Sequence, residues 1–389
     1  MRESYNSSLQ LCNTFPLKWA QIYLVKYLHW FCEMLILTDF EKSPSSSPKT
    51  KKMTMNPKSS PPEWGTSIKP EMQVVIEKLV SLGGKPIETL DATAARQQPT
   101  PTDAVVAIMK EHNIATPPAL CEMMDQQIPV TGGTTQIRIY TPKKGEAPFP
   151  VIVHYHGGGF VIADIDVYSA SSQALCEQVG AIVVSVEYPK GPEHKFPAAH
   201  TVSFDAYQWV LKNAAAMQGD ATKIALVGES AGGNLAANVS LMARDKAIQM
   251  PVYQVLVYPL ANNDLKSESY VKYAAAKPLN KPMMEWFVKN ALTSAAEAAD
   301  PRISLVKANL KGLPKTLIIG AEIDPLQTEG KLLHDQLKAA NVDSAYELYK
   351  GVTHEFFGMA AVVPQAKEAQ ALAAKRLRVA LGAHKTINV

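Results

Sequence analysis

Ser230 stands in Gly228-Glu229-Ser230-Ala231-Gly232, between a short apolar run, Ile224–Val227, and a helix-prone segment, Asn234–Arg244. A serine framed by glycines where a buried strand turns into a helix describes a nucleophile elbow. Such a turn holds the serine in a strained backbone conformation and lifts its hydroxyl above the sheet edge. Glycine at positions 228 and 232 leaves room for strand and helix to approach that closely. The following helix aims its free N–H groups and positive dipole end at the place where an oxyanion would form. A serine hydroxyl is too weak a nucleophile at neutral pH to act alone. It needs a base, and that base needs an orienting acid.

In an open parallel sheet, working groups lie beyond the carboxyl ends of strands. Asp324 follows the apolar run Thr316–Gly320, and His354 follows Ala345–Tyr349, so with Ser230 they meet that rule in the order Ser, Asp, His. Glu322 is the rival acid, two residues from Asp324. The rival histidines are His334, inside a helix, and His384, in the polar tail after the last one. A fourth apolar run, Pro150–His156, leads into Gly157-Gly158-Gly159-Phe160. Three consecutive glycines after a strand let the backbone come very near a ligand and present N–H groups to it, a plain glycine turn being the alternative. His154 and His156 are two residues apart and could share one strand face, but no further metal-ligand set accompanies them.

These stretches together resemble the hormone-sensitive-lipase family of α/β-hydrolases, the bacterial family IV esterases. The resemblance runs from about Pro70 to Leu381. It rests on HGGGF (156–160), GPEHKFPAA (191–199), GESAGGNLA (228–236), DPRIS (300–304), DPLQTEG (324–330) and THEFFGM (353–359). It implies an eight-stranded, mostly parallel sheet with helices on both faces, and a helical cap built from the N-terminal helices plus the segment after the sixth strand. It also implies a catalytic triad of Ser230, Asp324 and His354 and an oxyanion hole from the N–H groups of Gly158, Gly159 and Ala231. His156, Gly157, Gly228, Glu229 and Gly232 then belong to the supporting motifs. One stretch departs. The family's Asp-Tyr-Arg-Leu-Ala-Pro-Glu reads Glu187-Tyr188-Pro189-Lys190-Gly191-Pro192-Glu193 here, without the arginine, which leaves that loop's packing and polar contacts open.

The elements that must position these residues are legible in outline. A helix begins at Pro70, with Met72, Val75, Ile76, Leu79 and Val80 on the helical repeat and Gly83-Gly84 ending it. A second helix starts behind Thr102 as N-cap and runs to about His112. Gln127–Thr141 alternates around Gly132-Gly133 as a hairpin. Strands alternating with helices across the remainder argue for an α/β fold with a mostly parallel sheet covered on both faces. Ala261–Asp300 breaks that rhythm. It carries a helix, Lys281–Leu292, whose Met283, Met284, Trp286 and Phe287 form either ordinary core or a cap wall facing an acyl pocket. Phe160 joins them as a pocket candidate. The expected organisation is residues 1–60 as an extension, then a hydrolase domain over 61–389 with its cap from about 61–115 and 261–300.

Residues 1–60 are unlike the rest. They hold eight Lys/Arg against four Asp/Glu, so the remaining chain carries one negative charge of the net +3. Leu17–Leu37 is apolar but interrupted by Lys18, Lys26, His29 and Glu33, too broken for a membrane span, and no small-residue cleavage site follows it. Ser43–Ser60 reads as a linker, and Met53 and Met55 sit where a start could lie. The segment is read as an extension outside the chemistry, an interfacial anchoring helix, or an extra packing element.

Of 389 residues 47% are hydrophobic, enough for one large core. The small net charge, with no basic face, makes nucleic acid an unsuitable partner. Cysteines at 12, 32, 121 and 176 show no zinc or disulfide spacing, and a reducing compartment such as the cytoplasm fits. The expected activity is hydrolysis of short- to medium-chain acyl esters through a serine acyl-enzyme, with a small-molecule ester as partner, no metal or organic cofactor, and a homodimer compatible with it. The alternatives are an amidase or acyltransferase on the same machinery, and a non-catalytic small-molecule receptor.

Overall fold

The computed structural model describes residues 55–116 and 118–383. The expectations for Leu17–Leu37, Met53, Cys12, Cys32 and His384 fall outside them. Eight strands form one sheet: β1 Cys121–Val130, β2 Gly133–Pro142, β3 Phe149–Tyr155, β4 Ile182–Val186, β5 Gly219–Glu229, β6 Tyr253–Val257, β7 Lys315–Ile323 and β8 Ser344–Thr353. Their spatial order is β1-β2-β4-β3-β5-β6-β7-β8. β1 and β2 make the expected hairpin, with Val130 paired to Gly133 across the Thr131-Gly132 turn. β2 runs antiparallel to β4, and every pairing from β4 through β3 to β8 is parallel.

The central strands are apolar along their whole length because both faces are covered. Val151, Val153, Val184, Leu226, Leu256 and Ile318 enter one core, with Phe204, Leu235 and Leu333 from helices Ala198–Asn213, Ala231–Asp245 and Gln327–Ala339. Their neighbours Ile152, Val183, Val227, Val255 and Ile319 enter the other, with Leu175 and Leu377 from helices Ser169–Val179 and Pro364–Leu381. Since β3, β5, β7 and β8 run the same way, the residues that follow them emerge at one edge. Those residues are His156 to Gly159, Ser230, Asp324 and His354.

Several local expectations are corrected. Residues 55–60, expected to belong to a linker, are anchored to the domain. Met55 is buried in the second core, and Ser59 donates its hydroxyl and its N–H to Glu77. On helix Pro70–Ser81, Met72, Val75 and Ile76 are buried, but Val80 is 53% exposed, on the outer side of its turn. The next helix, Pro101–Glu111, is capped by Thr100 and not Thr102. Thr100 Oγ1 accepts from Asp103 N while the Asp103 carboxylate accepts from Thr100 N, a reciprocal capping box, and Pro101 suits the first helical position, where no N–H is needed. Thr102 instead donates to the Val167 carbonyl. The helix after Ser230 begins at Ala231, three residues before the expected Asn234.

Replacing Thr100 with alanine removes that cap and should lower stability by about 1 kcal/mol, read as a lower urea midpoint at unchanged slope. A neutral Thr100→Ala beside a destabilising Thr102→Ala would return the cap to Thr102.

Candidate active site

The turn at Ser230 is built by close approach. Ser230 has φ 56° and ψ −118°, a conformation few non-glycine residues adopt. A Cβ on Gly228 would lie 2.0 Å from the Gly232 carbonyl oxygen, and one on Gly232 would lie 2.0 Å from that of Tyr155. Glycine is therefore compulsory at both positions. The strained serine is held by its N–H donating to Val257 O at 2.8 Å and its carbonyl accepting from Leu260 N at 3.1 Å.

His354 Nε2 lies 2.9 Å from Ser230 Oγ, and its Nδ1 lies 2.7 Å from Asp324 Oδ2. A carboxylate can only accept, so Nδ1 carries the proton and the Nε2 lone pair faces the serine hydroxyl. Asp324 Oδ1 accepts from Leu326 N at 2.9 Å, and Asp324 is fully buried. Burial pulls the His354 pKa down, but Asp324, with Glu355 and Glu229 further off, outweighs it and holds the imidazole above its ordinary value. The Tyr258 ring packs against it, 4.4 Å between centroids. This trio can take a proton from Ser230 and keep the resulting imidazolium paired.

Opposite stands the glycine loop, with Gly158 at φ 101° and Gly159 at φ 59°. Among the described residues, the N–H groups of Gly158, Gly159 and Ala231 donate to no protein acceptor, Ala231 being the first residue of its helix. Free donors beside a nucleophile are what a developing oxyanion requires. The loop is pinned from below. Tyr188 stacks on His156 at 4.2 Å and donates to the carbonyls of His156 and Gly157 at 2.8 and 3.1 Å.

A cavity of about 580 Å³ opens above Ser230, walled by parts of 79–101, 158–168 and 277–287. Met283, Met284 and Phe287 line it as one of the two readings expected. Trp286 does not. Its indole N–H donates to Leu90 O at 2.9 Å, joining helix Lys281–Ala291 to the N-terminal segment. Phe160 is also corrected: its buried ring lies against His200, centroids 5.4 Å apart, and does not line the cavity.

The rival groups are elsewhere. Glu322 accepts from Gly351 N, and His334 pairs with Ser344 Oγ. His154 faces Ser172 Oγ at 2.8 Å and Glu229 at 3.4 Å. Among the described residues, no group of three or more His, Cys, Asp or Glu is arranged to hold a metal, and no helix is long and apolar enough to cross a membrane.

Several residues with work here carried no individual signal in the sequence. Tyr258 Oη donates to the buried Glu229 carboxylate at 2.6 Å. Asn234 and Asn238, one turn apart on the helix after Ser230, donate to the carbonyls of Ile303 and Arg302 and so seat the DPRIS stretch. The loop without its expected arginine is gripped by Arg96 from outside that loop: Nε to Val161 O, Nη2 to Gly191 O, and a two-pronged pair with Glu193. Lys190 pairs with Glu187 and donates to Ala163 O at 2.7 Å.

Residues 152–358 match the family model described as alpha/beta hydrolase fold. The chain is 34% identical over 293 residues to the carboxylesterase NlhH of Mycobacterium tuberculosis, covering 73% of this chain and 92% of that one. It is 28% identical over 321 residues to the ethyl acetate hydrolase of Pseudomonas putida, covering 80% and 99%. The solved esterase of Pyrobaculum calidifontis superposes with a TM-score of 0.72 at 33% identity, over 82% of this chain and 100% of that one.

A methyl group at position 232 would have to move backbone. Gly232→Ala should cost at least about 3 kcal/mol of stability and most of the activity, measured by thermal unfolding and ester turnover. A variant with wild-type melting and turnover would show that the strand–helix approach is looser than these distances.

Proposed function

The chain belongs to the alpha/beta hydrolase fold family and hydrolyses carboxylic esters, and on that premise we propose that Ser230, His354 and Asp324 carry the reaction on short- to medium-chain acyl esters. The observation that bears most weight is the continuous relay from Ser230 Oγ to Asp324, with bonds of 2.9 and 2.7 Å, both on the one imidazole. Ser230 Oγ attacks the ester carbonyl while Nε2 takes its proton. The oxyanion of the tetrahedral intermediate is received by the N–H groups of Gly158, Gly159 and Ala231. His354 then passes the proton to the departing alcohol, leaving the acyl group on Ser230. Asp324 fixes the tautomer and stays opposite the positive charge throughout. Water reverses the sequence and frees the acid.

Within the family, our reading assigns the chain to the hormone-sensitive-lipase group. Its HGGGF and GESAGGNLA stretches support this, as does a cavity roof that combines an N-terminal segment with the insertion after β6. We assign that roof, within 61–115 and 261–300, as the cap. The acyl-length reading rests on the capped form of the site: the acyl chain would lie among Met283, Met284 and Phe287 under the roof, not on an open apolar face.

Ser230→Ala should abolish turnover of nitrophenyl acetate and butyrate, with laurate a poor substrate for the wild type. Laurate preferred over butyrate would sink the chain-length reading and leave the triad. Asp324→Asn should lower kcat by about 10³–10⁴ because the wrong tautomer is presented to Ser230. The pH profile follows from His354. Its protonated form cannot accept the serine proton, so kcat/KM falls as pH drops through its pKa. Because Asp324, Glu355 and Glu229 raise that pKa above 6.5 despite burial, the midpoint of the acid limb should lie above 6.5. A limb centred well below 6.5, or a flat profile from about pH 5 to 9, would count against His354 as base.

A further inference from the structure

The acylation half of the mechanism leaves one carboxylate beside the base without a task. Glu355, next after His354, has φ 69° and ψ 1°, the left-handed region that costs a non-glycine residue strain. Its Oε1 lies 3.8 Å from His354 Nε2, beyond a hydrogen bond, and its side chain is 22% exposed, lining the cavity. Both of its oxygens lie 2.7 Å from the hydroxyl of Tyr168, a residue otherwise buried. Space for that hydroxyl comes from the first glycine of the loop, since a Cβ on Gly157 would lie 2.2 Å from it. A strained backbone and a compulsory gap thus serve a carboxylate that is hydrogen-bonded to neither Ser230 nor Asp324. Tyr168 supplies one proton, and a carboxylate has about four acceptor positions. The capacity left over faces the cavity beside Nε2.

The two halves of ester hydrolysis differ in the nucleophile. The serine hydroxyl has one hydrogen, and Nε2 takes it. Water has two. In the free enzyme Nε2 is engaged with Ser230 Oγ, and acylation removes that hydrogen and frees the lone pair. A water then donating to Nε2 finds Glu355 Oε1 as acceptor for its other hydrogen.

We propose that Glu355, held by Tyr168, seats the hydrolytic water of deacylation against His354. The inference rests on the triad reading above. In the step, a bond forms between the water oxygen and the acyl carbon while one water proton moves to Nε2. The bond from that carbon to Ser230 Oγ then breaks, and the proton on Nε2 passes to Ser230 Oγ. The second hydrogen, bonded to Glu355 throughout, leaves with the carboxylic acid and is released to solvent. Glu355 begins and ends as a carboxylate.

The test uses the full chain as wild type, Glu355→Gln and Glu355→Gly, with p-nitrophenyl acetate in stopped flow and with methanol as a competing nucleophile. Glutamine keeps the shape. Glycine relieves the left-handed backbone but strands the Tyr168 hydroxyl, so thermal unfolding of both variants is measured beside wild type and the kinetics are read on folded protein. Both variants should lose about tenfold to a hundredfold in kcat, the range expected for one hydrogen bond to a charged group. On the plateau above the acid limb, where the shift in the His354 pKa caused by losing the Glu355 charge does not change its protonation, they should show a burst of nitrophenol approaching one per active site, with kcat/KM, which reports acylation, within about twofold of wild type. Methanol has a single hydroxyl hydrogen and does not need Glu355, so the ratio of methyl acetate to acetate should rise by about the same factor that kcat falls. That ratio reads deacylation whichever step limits turnover. An unchanged ratio, or kcat and kcat/KM falling together, would overturn the proposal, because a carboxylate that merely tuned His354 would slow both halves. A folded wild type that releases no nitrophenol would instead bring down the triad reading, and this inference with it.

Discussion

The site depends on how near the helix that begins at Ala231 comes to the sheet. Its second residue, Gly232, leaves no space for a methyl group against the Tyr155 carbonyl, so the helix start is pressed onto the end of β3. Three consequences follow from that one contact. The chain must reverse within a residue, which puts Ser230 at φ 56° and its hydroxyl clear of the sheet. The helix N-terminus is aimed into the cavity, so that the Ala231 N–H is left free beside Ser230. And the end of β3, fixed by the same contact, launches the loop whose Gly158 and Gly159 supply the facing donors. The strain of about 1–3 kcal/mol at such a residue persists because the surrounding core, buried on both faces of the sheet, over-determines it.

Negative charge is the second organising quantity. Asp324, Glu229 and Glu355 all bear on His354, yet only Asp324 is hydrogen-bonded to it. The other two are each held by a tyrosine hydroxyl, Tyr258 for Glu229 and Tyr168 for Glu355. A tyrosine proton satisfies a buried carboxylate without cancelling its charge, which a lysine or arginine would do. The field therefore favours the imidazolium from three sides while the geometry reserves its two nitrogens for Asp324 and Ser230. Burial pushes the Glu355 carboxyl above its ordinary value, with His354 and Tyr168 pulling it back.

What could be read from sequence follows the range of the interactions. The elbow was legible because its physics is local: five residues must turn a strand into a helix, and only particular residue types allow it. Asp324 and His354 were legible because parallel strands deliver their carboxyl ends to one edge whatever the details of packing. The contacts that escaped are those between distant stretches with no periodicity to announce them. Arg96 replaces an arginine missing from 187–193 by reaching in from a helix end some 95 residues earlier, and nothing in either segment indicates the other. Trp286 lay in an amphipathic helix whose pattern predicts burial but not partner. Its indole had a carbonyl to satisfy, at Leu90, and so turned from the cavity that Met283 and Phe287 line. The N-cap at Thr100 does carry a signal in the sequence. Pro101 forces extended backbone at the residue before it, and that residue is Thr100.

The cavity has two kinds of wall, and they differ in what a substitution costs. Its roof sets the apolar Met283, Met284 and Phe287 over the cavity and is carried on segments outside the sheet. Changing volume there trades packing against packing, and a flexible thioether absorbs part of the difference. Its floor carries polar groups already partnered, Lys190 by Glu187 and Glu355 by Tyr168, together with His354, against which the Glu229-bound Tyr258 packs. Removing one member of such a pair strands the other, at the desolvation penalty of an unpartnered buried group. The floor is also part of the strand ends that hold Ser230 and His354, so a shift there moves the chemistry. Substrate preference in this scaffold is therefore free to change through the roof alone, while the floor fixes the positions of Ser230 and His354.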